Sequence, residues 1–469
     1  MKTLKLILIF LIGFGFSAKA QYNLVFKVDG LHPGDSCILA HYYADQNKIV
    51  DTAAVQKDGK LHFKGSGPLL HGVYILVFPK RNYIEFIVPK DDQQFEIACD
   101  TASTPQSKKA IGSLENEVFF GFDKFAIEPG LRKKELIEKY KKCTSEACKD
   151  SLRPMLRAID MEVHNEKKRI IDQYPNTFVA KLYKALMEIE IPEELGDDEW
   201  KRYEYYREHY WDNFDLTDDG MMRTPIYNGK LEYYFTKIFA QSPDSLIPYI
   251  DNYCEILEKN NCKETYKYAI WWLVSHYEKQ EVICLDGVVY HMAQKYYCAG
   301  KSYWADSSTT KRMCEYVQKN ALIQCGKVAP NMTLPDTSLS RMYSLHRLQY
   351  PVTVVVFWQP NCGHCKKEVP ILKEMYDTLH TKGVEIFAVM TQNELDDWRA
   401  FIRNNKLEWI NVLGAVEGAT FREDYNQKKT PEIYILDEKK RIIFKNPPAE
   451  NVGHLVQGLL DEYYKNHKP

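Results

Sequence analysis

The chain has 469 residues, with 62 Lys or Arg against 64 Asp or Glu and a formal net charge of −2 at pH 7. Near-neutrality without any block of basic charge argues against a nucleic-acid partner. Hydrophobic residues at 45% and aromatics at 13% exclude a disordered chain, and at about 100–200 residues per domain the length fits two or three domains.

Residues 1–20 read as a signal peptide. Lys2 and Lys5 precede a short apolar core from Leu6 to Phe16, and Ala18-Lys19-Ala20 forms a small-residue cleavage site before Gln21. The apolar core is too short to span a bilayer, and no later run reaches about eighteen apolar residues. No cysteine follows the cut, so no lipoprotein anchor is expected. The segment resembles a bacterial export signal, which implies a soluble protein of the periplasm without a transmembrane segment.

Residues 21–105 have a strand period. "YNLVFKVDG", "CILAHYY", "GKLHFKG", "GVYILVF", "YIEFIVP" and "QQFEIAC" are short, rich in β-branched and aromatic residues, and separated by turns; Asp58-Gly59 is a hairpin signal. Strands at roughly ten-residue spacing predict a small antiparallel β-sandwich. It carries no acid pair, metal cluster or nucleophile, and reads as a docking or spacer domain.

Residues 106–325 have a helical period and predict an all-α domain. "LRKKELIEKYKKC", "FVAKLYKALMEIE", "KLEYYFTKIFAQ" and "YKYAIWWLVSHYEK" place apolar residues three and four apart. The aromatic stretches "YREHYWDNFDL" and "RTPIYNG" could line a groove, but rings at helical spacing more commonly form core. His209, His276 and His291 have no ligand partners at a recognisable spacing, so no metal site is expected.

Residues 326–469 alternate strand and helix. "VTVVVFW" is a continuous apolar run suited to a strand buried on both faces. "VEIFAVM" is a second such strand, "ELDDWRAFIRNN" a helix, "EIYILD" and "RIIFKN" paired strands, and Glu450 to Lys465 a closing helix. This alternation predicts an α/β domain with a mainly parallel sheet and helices on both faces.

Chemistry concentrates at "VVVFWQPNCGHCKKEVP", Val354 to Pro370. Cys362 and Cys365 admit three readings. A structural zinc site needs four ligands, commonly as two close pairs, and no second C-x-x-C exists; Cys325 lies well upstream without a partner. A disulfide across two residues is a strained ring that favours reduction over stapling. The third reading, a redox dithiol, fits the position best. Cys362 falls at the first turn of a helix that follows a strand, where unpaired N–H groups and the helix dipole stabilise a thiolate. Cys365 lies one turn on, able to release whatever Cys362 captures. Gly363 leaves the entry clear, and His364 places a titratable ring beside the sulfurs.

These residues resemble the thioredoxin family, and more closely its exported branch of thiol–disulfide oxidoreductases related to the cytochrome-maturation thioredoxins. "FWQPNCGHCKKEVP" matches that branch's F-W-x-x-x-C-x-x-C-x-x-E-x-P pattern, and "GKVAP" at Gly326 resembles its lead-in. The resemblance covers residues 326–469 and implies a thioredoxin fold, Cys362 as attacking and Cys365 as resolving cysteine, and Glu368 as a carboxylate near Cys365. It implies a cis-proline loop at Thr430-Pro431, with Trp358, Thr430 and Pro431 at the substrate side, and a helix kink at Pro370. Gly-His between the cysteines, as in protein disulfide isomerases, implies a couple between roughly −270 and −180 mV. Two departures stand out: Val356 replaces the buried aspartate of cytosolic thioredoxins, and Asn361 replaces the tryptophan before the first cysteine.

The resulting expectation is a periplasmic thiol–disulfide oxidoreductase, reductase or isomerase, acting on disulfide-containing exported proteins and needing no cofactor or metal. A reductase would also need a membrane electron donor. The alternative is a redox-sensitive scaffold that uses the fold without turnover. A thiol peroxidase fits less well, because the P-x-x-x-T-x-x-C context of those enzymes is absent. Ten further cysteines (Cys37, Cys99, Cys143, Cys148, Cys254, Cys262, Cys284, Cys298, Cys314 and Cys325) have irregular spacings. Cys143 with Cys148, and Cys254 with Cys262, are near enough in sequence to pair. The domains upstream of residue 326 resemble uncharacterised modules that precede thioredoxin domains in Gram-negative envelope proteins, which implies architecture and no chemistry.

Overall fold

A computed structural model describes residues 21–280 and 284–467; the expected signal peptide lies outside them. The chain forms two compact units, one running to Ile238 and including Ile256–Tyr266, the other made of Phe239–Glu255 and Lys267 onward.

The first unit begins with eight strands: β1 (Tyr22–Asp29), β2 (Ser36–Tyr43), β3 (Gln46–Ala54), β4 (Lys60–Gly65), β5 (Gly72–Val77), β6 (Tyr83–Val88), β7 (Gln94–Asp100) and β8 (Lys109–Ile111). They form two four-stranded sheets, ordered β4-β1-β7-β8 and β3-β2-β5-β6. Alternation makes them a sandwich. Leu24, Phe26 and Val28 point inward from β1, and Phe26 meets Phe63 of its own sheet and Phe86 of the other at centroid distances of 5.9 and 5.1 Å. The pairing is antiparallel as expected except between β1 and β7, which run parallel. They lie far apart in sequence, so no hairpin dictates their direction. Asp58-Gly59 does form a tight turn, with Gly59 at φ +79°. The strands it joins do not pair as a hairpin, however; β3 pairs with β2 and β4 with β1. The inward Leu61 and Phe63 serve the first sheet. β3 itself escapes sequence reading because it is a largely exposed edge strand without apolar alternation.

Six helices follow: α1 (Leu114–Phe125), α2 (Ile127–Lys142), α3 (Glu146–Gln173), α4 (Phe178–Ala185), α5 (Glu199–His209) and α6 (Tyr227–Tyr233). The 28-residue α3 was hidden by its charge and by Pro154, which would normally argue against a helix interior. Tyr210, Phe214 and Tyr227 of the aromatic stretches are buried as core. His209 bonds Asp212 at 2.6 Å.

Helices α7 (Pro243–Lys259), α8 (Lys263–Tyr277), α9 (Asp286–Met292) and α10 (Ser307–Asn320) come next. His291 bonds Asp251 at 2.8 Å. A short hairpin of β9 (Thr333–Pro335) and β10 (Met342–Ser344) then leads into the α/β fold. That fold comprises β11 (Val352–Trp358), α11 (Cys365–Leu379), β12 (Val384–Met390), α12 (Leu395–Asn404), β13 (Ile410–Leu413), α13 (Phe421–Asp424), β14 (Glu432–Leu436), β15 (Ile442–Lys445) and α14 (Ala449–Asn466). The sheet order is β13-β12-β11-β14-β15, with β11 parallel to β12 and antiparallel to β14. Every residue of β11, β12 and β14 is buried. Val354, Val356 and Trp358 face α11, α12 and α14, whereas Val355 and Phe357 face α13 and the chain around Ile323 and Leu345. Two covered faces are what a continuous apolar strand requires.

Candidate active site

Central strand β11 ends at Trp358, whose carbonyl accepts the Thr391 N–H at 3.0 Å. The loop that follows is pinned by Asn361, whose side-chain amide donates to Glu394 Oε2 at 2.6 Å and Asp397 Oδ2 at 3.2 Å. α11 then begins at Cys365. The first N–H groups of a helix have no partner within it, and a side-chain acceptor three residues earlier commonly satisfies one. Here that acceptor is sulfur: the Cys365 N–H donates to Cys362 Sγ at 3.2 Å. On the other side, the Cys362 thiol donates to the Thr430 carbonyl at 3.2 Å, and the Thr430-Pro431 bond is cis. Cys362 is half-buried and Cys365 fully buried.

This geometry separates the two thiols. Burial alone raises the Cys362 pKa, but hydrogen bonds from Cys365 and Thr430 and from the backbone N–H groups of Cys365 and His364 outweigh it, so the value falls below that of an ordinary thiol. Burial, then the neighbouring Cys362 sulfur, pushes Cys365 up to about 12. The pair therefore offers an accessible sulfur that ionises more readily than an ordinary thiol and a covered sulfur that keeps its proton near neutral pH. Glu368, one turn beyond Cys365 and half-buried, is raised by burial and then eased by His364.

Other expected site residues lie in less direct places. Trp358 cannot touch a substrate; it ends a strand buried on both faces, is fully buried, and packs on Phe401 at 5.2 Å. Gly363 is exposed, and a Cβ there would meet nothing within 4 Å, so the entry does not sterically demand glycine. His364 is exposed at the start of α11, and Pro370 lies inside that helix. Among the other cysteines, Cys143 bonds Cys148 as its spacing allowed. Cys254 and Cys262 are not bridged to each other. Cys325, expected to lack a partner, bonds Cys284, and Cys298 bonds Cys314. These separations of 41 and 16 residues are set by tertiary packing, which local spacing does not reveal.

Beside the sulfurs opens a cleft of about 810 Å³. One side carries His364, Glu368, Pro431 and Glu432; Tyr316 and Asn320 of α10 line it as well. Sequence reading missed Glu432 and the α10 residues. Glu432 had a legible signal, a carboxylate opening an otherwise apolar strand. The α10 residues had none, because only the fold brings them to the cleft.

Residues 324–459 match the Redoxin family, residues 133–320 a domain of unknown function (DUF5106), and residues 22–119 another (DUF4369). The thiol-disulfide oxidoreductase ResA of Bacillus cereus is 25% identical over 154 residues, which is 33% of this chain and 84% of that protein. A domain of a possible thiol-disulfide isomerase from Cytophaga hutchinsonii is 33% identical over 32% of this chain and 99% of its own, with a TM-score of 0.29. A thioredoxin-like protein from Bacteroides caccae is 21% identical over 60% of this chain and 98% of its own, with a TM-score of 0.34. Residues 324–459 thus form a thioredoxin-like domain of the Redoxin family, similar to thiol–disulfide oxidoreductases, with two domains of uncharacterised families ahead of it.

Proposed function

We propose that this thiol:disulfide oxidoreductase reduces or isomerises disulfides of exported proteins in the periplasm through the Cys362–Cys365 dithiol. The observation that carries this reading is Cys362 Sγ held between the Cys365 N–H and the Thr430 carbonyl, each at 3.2 Å. The Cys362 thiolate attacks one sulfur of the client disulfide. A Cys362–client disulfide forms, the client bond breaks, and the departing client thiolate takes a proton from water. Cys365 then loses its proton and attacks Cys362 Sγ, which frees the second client thiol and leaves a Cys362–Cys365 disulfide. Glu368, its carboxyl raised by burial, is the proton acceptor for that second step. His364 supplies a backbone N–H to Cys362, and the backbone at Thr430 and Pro431 receives the client chain.

Two electrons must re-enter the pair after each reduction, so a reductase role requires a membrane-bound electron donor. No helix among the described residues is long and apolar enough to cross a membrane. Insulin reduction by dithiothreitol, followed with wild type and Cys362→Ser, tests the reading. Loss of acceleration in the variant is expected; equal rates would remove the enzyme claim and leave a scaffold. The equilibrium of the pair with glutathione then separates a reducing from an isomerising couple.

A further inference from the structure

The cleft beside Cys362 has features that disulfide exchange alone does not use. Glu432 directly follows the cis-proline, is 8% exposed, and lines the cleft. Its Oε1 accepts from the Tyr434 hydroxyl at 3.1 Å, while Oε2 is buried with no hydrogen-bond partner. A buried carboxyl oxygen without a donor costs free energy unless a ligand supplies one. The cleft lining carries three carboxylates, Asp286, Glu368 and Glu432, against three lysines. Lys445 is taken up by Asp286 and by the Ile323 carbonyl, and Lys428 and Lys429 are exposed, where water screens them. Buried Glu432 has the exposed Lys429 as its nearby cation, and the half-buried Glu368 feels His364 and Lys429.

The opposite wall is firmly held. The Cys284–Cys325 disulfide, the Lys445–Asp286 ion pair and an Asn426 to Asn320 hydrogen bond of 3.2 Å tie α9 and α10 to the α/β fold. This wall lies N-terminal to residue 324, outside the Redoxin match. The cleft runs from Pro431 toward Cys284, whose Sγ lies 3.4 Å from the Ile443 carbonyl. Ile443 stands opposite the Ile435–Leu436 end of β14. At about 3.3 Å per residue, the path along β14 is about 13 Å, room for about four extended residues.

We propose that this cleft binds an extended client segment between β14 and α10, and that Glu432 receives a lysine or arginine side chain within about four residues of the client's reacting cysteine. The proposal rests on the oxidoreductase reading and names the client chemistry for that same site. The preferred client is a flexible, basic, cysteine-containing segment; a folded disulfide surface or an acidic segment fits poorly.

Disulfide-linked homodimers of a short unstructured peptide test it, with lysine, glutamine or glutamate scanned through four positions on either side of the single cysteine. Full-length protein, pre-reduced with dithiothreitol, is assayed in single turnover, with hydroxyethyl disulfide as the reference. At one or two positions lysine should raise kcat/KM roughly tenfold over glutamine, the scale of one charge-assisted hydrogen bond. The gain should appear mainly in KM. Glu432→Gln should bring the lysine-to-glutamine ratio to about one, while Glu432→Asp keeps part of it. A ratio near one at every position in wild type, a preference for glutamate, or a lysine preference that survives in Glu432→Gln each overturns the proposal. The wild-type series decides the matter even if the variants fail to fold. Reduction of hydroxyethyl disulfide with no peptide preference removes the cleft proposal alone; failure to reduce any disulfide removes the oxidoreductase reading with it.

Discussion

Two close pairs of cysteines stand at the entry of a helix in this protein, and they have opposite characters. Cys143 and Cys148 flank the start of α3, where the Ser145 hydroxyl accepts the Cys148 N–H at 3.3 Å. The helix end is satisfied by a neutral oxygen, and the two sulfurs close an exposed loop. At α11 no such hydroxyl is present, and Cys362 Sγ itself takes the N–H of Cys365 at 3.2 Å. A helix terminus therefore activates the cysteine that occupies the capping place, not any cysteine that happens to be near. The strand before α11 sets the position, because β11 is buried throughout and the loop after it brings Cys362 to the Thr430 carbonyl, which accepts from the protonated thiol.

The comparison can be broken most directly at the capping sulfur. Cys362→Ser should lower insulin reduction by more than about 10³, to background, since a hydroxyl is not ionised near neutral pH. Residual turnover above background would mean that the capping sulfur is not the nucleophile. Cys365→Ser should keep the attack and lose the release, so that Cys362–client disulfides accumulate and can be identified by mass spectrometry.

Iodoacetamide labelling of the reduced protein sharpens the contrast. Because the Cys362 pKa is lowered, its labelling rate should level off at a lower pH than that of a free thiol, and fall about tenfold per unit below that pKa as the thiolate is protonated. Cys365, pushed up to about 12, should stay unlabelled through neutral pH. Coincident profiles for the two sulfurs would contradict the assignment. Trp358→Ala tests the supporting strand: a fully buried indole removed from the core should cost about 3–5 kcal/mol in urea unfolding.

Glu368→Gln should slow release of a trapped client by at most about 10² and flatten its pH dependence. In wild type the release rate should fall as pH drops through the raised Glu368 pKa, where the carboxylate is lost. An unchanged profile would leave water as the proton acceptor. The smallest effect belongs to Cys143→Ser combined with Cys148→Ser. Insulin reduction should stay within twofold, and stability should drop by about 2 kcal/mol for so short a loop.

Strong local signals were legible where the chemistry is local. The unbroken apolar runs of β11 and β12, the C-x-x-C spacing at the following helix and the proline before β14 each sit in a short stretch of chain. Legibility failed where burial or pairing came from distant segments. β3 is an exposed edge strand without alternation, and α3 hides its period behind charge and Pro154. Trp358 read as a contact residue because the motif places it four residues before Cys362, but its side chain follows the pleat of β11 into the core.

The class of each region and the two sulfurs of the candidate site can be read locally, because periodicity and helix-entry geometry are properties of adjacent residues. Packing between distant segments set which thiol is covered, which carbonyl faces the other, and that Cys325 bonds Cys284. It also decided that Glu432 would sit in a cleft with α10 on its far side. Those outcomes depend on which surfaces exclude water together, and segments far apart in the chain share no local pattern that announces their meeting.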